Sequence, residues 1–116
     1  MNKRLLEGLL LIASRERQLE MIVEGTRDHY LVPEELIDSA RSEAERLLNT
    51  SRGLKGGERD SIRTFLQLAE RAYAETLEHG SAELRELIDG EDWSRMRAAA
   101  KDCLDKLNGY KKHAAE

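Results

Sequence analysis

The chain has 116 residues, the size of one domain with a single modest core and too short for two independent ones. Charged residues make up 36% and aromatic residues 4%, with one proline and scattered β-branched residues, which excludes a sheet protein and fits a helical bundle. The net charge of −4 comes from 19 basic and 23 acidic side chains mixed along the chain, which argues against a nucleic-acid protein, because phosphate contacts need a concentrated basic surface.

The first apolar pattern runs from about residue 3 to 24, with Leu5, Leu9, Ile12, Leu19 and Val23 on one helical stripe. Glu16 falls inside that stripe, where a carboxylate needs a hydrogen-bonding or cationic partner. Leu6, Leu10, Leu11 and Met21 lie off the stripe, so this helix is apolar on several sides, as expected of a segment that is central or covered by a partner. These four side chains are the candidate partner-binding residues. The segment Thr26 to Val32 reads as a connection, and Pro33 suits the first turn of a second helix over 33–49, followed by Glu34 and Glu35 at its positive end. That helix carries Leu36, Ile37, Ala40, Ala44, Leu47 and Leu48.

The stretch TSRGLKGGERD holds three glycines without periodicity and is expected to be a loop. A third helix follows over 58–79, with Ile62, Phe65, Leu66, Ala69, Ala72, Tyr73, Thr76 and Leu77 on one face. Gly80 is placed to terminate it, and Ser81 to cap a short helix over 81–89 bearing Leu84, Leu87 and Ile88. Asp92 is the expected cap of a last helix over 92–108, and 111–116 is expected to be a mobile tail. This last helix carries Trp93, Met96, Ala100, Cys103, Leu107 and Tyr110 in a narrow stripe too short for a coiled coil, which reads as a face turned into the chain's own core. The expectation for 1–116 is therefore one all-α domain, a single compact bundle of four to five helices.

No catalytic, cofactor or metal site emerges from the residues. His29, His79 and His113 are far apart in sequence, and although Glu75 and His79 are one turn apart, the chain lacks the Glu-x-x-His units of a carboxylate metal bundle. Cys103 sits on the apolar stripe and reads as a small buried hydrophobe. The glycine loop places Lys55 before its glycines, with no strand ahead of it, unlike a phosphate-binding loop. A single cysteine forms no internal disulfide and points to a reducing compartment, the cytoplasm. The longest apolar run, Leu9 to Ala13, is far below the ~20 residues of a membrane span. The start MNKRLLEGLLLIASRER is interrupted by Glu7 and lacks a small-residue cleavage pattern, so it does not read as a signal peptide.

SEAERLL, ERDSIRTFLQLAERA and DGEDWSRMRAAAKDCLDKLNGY, within residues 42–110, together resemble the C-terminal helical lid of Hsp70-type chaperones. The match departs from that pattern at Pro33 and at the short helix after Ser81, and the peptide-binding sheet subdomain is absent. The resemblance implies a module without a nucleotide site that covers or regulates a protein client. The expected function is a non-enzymatic cytoplasmic protein-binding or regulatory module that presents an apolar helix face to a protein partner. The alternatives are a structural homodimer seamed along the 93–110 stripe, and a small metal- or cofactor-binding bundle.

Overall fold

A computed structural model describes residues 3–23, 32–50, 52–79 and 84–115, excluding the side chains of 3, 4, 21, 23, 79 and 108–115; every regular element among them is helical. The elements are α1 (Lys3–Ala13), α2 (Arg15–Gln18) running into a π-helical turn (Leu19–Val23), α3 (Pro33–Thr50), α4 (Gly56–His79), α5 (Leu84–Asp89) and α6 (Glu91–Ala115). The chain is an all-α bundle, as its composition requires.

Local chemistry sets most of the boundaries. Pro33 opens α3 where its missing N–H is not needed, and the first helical bond runs from the Leu36 N–H to the Val32 carbonyl. α4 begins at Gly56, two residues before the expected Glu58. Glu58 instead reaches back, its Oε1 accepting from the Lys55 N–H at 3.0 Å, half of a capping box that carries the helix start upstream. Gly90 occupies the α5–α6 corner: its N–H donates to the Leu87 carbonyl and its own carbonyl accepts from the Ser94 N–H. Gly90 therefore starts α6, and Asp92 lies in the first turn instead of at the cap. A Cβ at Gly90 would sit 3.2 Å from the Leu87 carbonyl oxygen and 3.3 Å from Glu75 Oε1, tight enough to explain a glycine there. α6 continues through Asn108 and Gly109 to Ala115, past the expected end at 108. Gly80 and Ser81, expected to end one helix and cap the next, lie outside the described residues.

Four long elements close a ring: α1 packs on α3 and α6, and α4 packs on the same two helices from the opposite side. Arg59 near the start of α4 reaches the Leu48 carbonyl near the end of α3, and Arg41 lies over the Tyr73 ring, so α3 and α4 are antiparallel. Ser61 meets Asp102 while Thr76 meets Trp93, so α4 and α6 are antiparallel too. Gln18 meets Arg97 in the second turn of α6, which makes α1 run against α6 along the rest of its length. The bundle measures 45 × 26 × 19 Å, and α5 braces its end between α6 and the π-helical turn.

The ring encloses Leu5, Leu9, Ile12, Ile37, Ile62, Phe65, Trp93, Met96 and Leu107, each essentially without solvent contact. Each such side chain contributes about 1.5–3 kcal/mol by leaving water. Trp93, Met96, Ala100, Cys103 and Leu107 are all buried against α1 and α4, so the stripe proposed as a homodimer seam is already covered by the chain's own helices. Tyr110 at its end lies outside the described side chains. Leu77, placed by periodicity on the inner face of α4, is instead 57% exposed on the helix flank.

Candidate functional site

α1 is where sequence and structure disagree most, and the disagreement starts at Ser14. The continuous helix expected over 3–24 is broken there, because Ser14 takes an extended conformation (φ −105°, ψ 104°). Its hydroxyl accepts from the Arg17 N–H at 3.2 Å, capping a new helix. The break takes the Leu11 and Ile12 carbonyls out of the regular helical ladder, Leu11 keeping only a 3.4 Å bond from the Ser14 N–H. Both are taken by the side-chain amide of Gln18, whose Nε2 donates to Leu11 O at 3.1 Å and Ile12 O at 2.6 Å.

The break also resets which residues face inward. Gln18 and Ile22 occupy the buried positions, while Glu16, placed on the stripe by an unbroken helix, points to solvent and needs no buried partner. Gln18 is satisfied on its other side by Arg97, whose Nη1 donates to Gln18 Oε1 at 3.0 Å and to the Ile88 carbonyl at 2.7 Å. Both acceptors are neutral, and burial lowers the Arg97 pKa, an effect that nearby Asp89 opposes. At the surface of the same junction, Arg15 grips Asp89 with two hydrogen bonds, 2.6 Å from Nε and 3.0 Å from Nη2. The Arg15 guanidinium holds the Asp89 carboxyl below its ordinary range and is itself held protonated.

The four candidate partner-binding side chains separate. Leu11 is half-buried and packs against the core. It shares a side of α1 with Gly8, where an added Cβ would lie 3.6 Å from the Ala40 Cβ of α3. Leu6 and Leu10 lie on the opposite side, one turn apart; Leu6 is half-buried and Leu10 is 52% exposed. The Met21 side chain lies outside the described ones.

The polar groups deeper in the bundle are occupied structurally. Trp93 Nε1 donates to Thr76 Oγ1 at 3.0 Å, and that hydroxyl donates to the Ala72 carbonyl at 2.6 Å. Ser61 Oγ donates to Asp102 at 2.8 Å, and the Cys103 thiol donates to the Ser61 carbonyl at 3.2 Å. Burial pushes the Cys103 thiol up to about 11, so it is a protonated, unreactive hydrophobe at neutral pH. Glu58 keeps one oxygen, Oε2, buried without a hydrogen-bond partner. Among the described residues no group of three or more His, Cys, Asp or Glu is arranged to hold a metal ion, and no helix is long and apolar enough to cross a membrane. His29, and the side chains of His79 and His113, fall outside the description. An open groove on α4, lined by Gln67, Leu68, Glu70, Arg71 and Ala74, is built from the helix's own outer face.

Comparison of the chain with protein-family models, with curated proteins and with solved structures returns no match. Ser14, Gln18, Asp89 and Arg97 were not singled out by the apolar pattern. The one sequence signal for the junction is a serine followed within a turn by Glu16, the usual composition of a helix start.

Proposed function

We propose that this chain is a non-enzymatic helical module that binds a protein partner through the outer flank of α1. The observation that supports this reading is Leu10, 52% exposed beside half-buried Leu6 on a helix whose inner face is already filled by Leu5, Leu9 and Ile12. Two leucines one turn apart form the minimal ridge that an amphipathic helix of a partner packs against. The module works in the reducing cytoplasm, where a lone buried thiol such as Cys103 is stable. Its helix patterns resemble those of Hsp70-type lids, which favours a client-covering or regulatory role over catalysis.

The test is affinity capture with tagged protein in extracts of the cells that express it, comparing wild type with Leu10→Ser. A partner retained by wild type and lost by the variant, with the thermal midpoints equal, supports the reading. Retention of the same proteins by both, or loss of the fold in Leu10→Ser, contradicts it.

A further inference from the structure

We infer that α1 is an exchangeable element: the seat it occupies between α3 and α6 also accepts α1 of a second copy of this chain, with Ser14 as the hinge. The inference stands independently of the partner-binding reading, since it concerns the inner face of α1 and not Leu6 and Leu10.

Local and tertiary preference conflict at Ser14. From Leu9 to Glu24 the sequence contains neither glycine nor proline, and its apolar spacing is that of one uninterrupted helix. The folded chain breaks that helix at a single extended residue, Ser14. Straightening Ser14 restores the Leu11 and Ile12 carbonyls to their helical partners, the N–H groups of Arg15 and Glu16. In the broken form the Ile12 carbonyl is held by one side chain, Gln18, steadied by Arg97, and the Leu11 carbonyl is shared between Gln18 and a 3.4 Å bond from the Ser14 N–H. The two forms thus satisfy the same carbonyls in different ways, the condition for a bistable hinge.

The straight form carries α1 away from its own bundle. Leu5, Leu9 and Ile12 would then be stripped from the core, which rules out a free straight monomer. A second copy supplies an identical vacated seat, so two straightened chains exchanging α1 recover its packing on α3 and α6, and the exchange closes with two-fold symmetry.

The seat offers its own reporter. A Cβ at Gly8 lies 3.6 Å from the Ala40 Cβ, within the roughly 3.5–4.5 Å span of a disulfide. In a G8C/A40C chain with Cys103→Ser, oxidation links α1 to whichever α3 it is seated on. The protein is unfolded in guanidinium, refolded at low and at high protein concentration, separated by size and analysed without reductant. A dimer fraction that grows with refolding concentration and remains a covalent dimer in detergent supports exchange. Absence of dimer at every concentration, or a dimer that dissolves into internally linked monomers, overturns it.

Two single variants tie the exchange to the hinge. Arg15→Pro places proline at the first position of α2, where it suits the observed break, holds Ser14 extended and forbids the continuous helix. It abolishes the dimer fraction, whereas Arg15→Ala, which also removes the pair with Asp89, retains it. Equal dimer fractions in these two variants contradict the hinge. Gln18→Ala removes the cap that only the broken form needs and raises the dimer fraction about tenfold, the shift expected from one lost buried hydrogen bond; an unchanged or lower fraction counts against the inference.

Discussion

The α4–α6 pair and the α1–α2 segment are both built from apolar residues at helical spacing, yet only the first runs as unbroken helices. In α4 and α6 a single apolar stripe is set against charged faces, and its embedded polar groups close on one another: Trp93 on Thr76, Cys103 on Ser61. One face is buried and both helices run unbroken. α1 itself buries the expected Leu5, Leu9 and Ile12, but beyond Ala13 the tertiary environment selects a break that buries Gln18 and exposes Glu16. Spacing places a helix while it runs unbroken; past the break at Ser14, position is set by hydrogen bonds to residues distant in sequence.

The largest loss is expected in the regular half. Trp93→Ala empties the fully buried α4–α6 contact and removes the donor to Thr76, with an expected loss of about 3–5 kcal/mol in denaturant unfolding. A loss below about 1 kcal/mol would mean the pair is not the structural centre of the bundle. In the broken half, Gln18→Ala leaves the buried Ile12 carbonyl without its donor and takes one acceptor from Arg97, which keeps the Ile88 carbonyl, for an expected loss of about 1–3 kcal/mol. Combining it with Arg97→Met should cost less than the two single losses added, because both disable the same node. Strict additivity would show that Gln18 and Arg97 act separately.

Smaller effects sharpen the contrast at the edges. An alanine Cβ at Gly57 meets nothing within 4 Å, so Gly57→Ala should raise stability by about 0.4–1 kcal/mol through the unfolded chain alone. The Arg15–Asp89 pair has a sign that pH can read. Asp89 is depressed by Arg15, so the contribution of the pair is whole at neutral pH and is lost as pH falls below the ordinary carboxylate range. Asp89→Asn should therefore flatten part of the acid limb of the thermal midpoint, and an unaltered limb would mean the pair does not persist in solution. Leu10→Ser, on the exposed flank, should change stability by about 0.5 kcal/mol or less.

How much of this was legible in the sequence follows the same division. The burial of Trp93, Met96, Ala100, Cys103 and Leu107, the start of α3 at Pro33, and the inner residues of α3 were all readable, because each follows from spacing or from a backbone property of one residue. Leu77 was misplaced because it falls at the edge of its stripe near the end of α4, where a small angular offset separates core from solvent. The cap at Gly90 was missed in favour of Asp92 because the close approach of Glu75 and the Leu87 carbonyl, which selects glycine there, belongs to the fold and leaves no local mark. The junction at Ser14 was hidden for a related reason: Gln18 is joined to Arg97 across 79 positions, and no periodicity within residues 3–24 contains that bond.

Tertiary hydrogen bonds hold open a break at Ser14 in what spacing alone would make a continuous helix. Backbone chemical shifts and amide exchange of Ser14, Arg15 and Glu16 in the dilute monomer test it most directly. An extended-chain shift at Ser14 and weakly protected Arg15 and Glu16 amides are expected, since the Leu11 and Ile12 carbonyls bond Gln18 and the Ser14 N–H instead. A helical shift at Ser14, with Arg15 and Glu16 protected like the interior of α4, would contradict it.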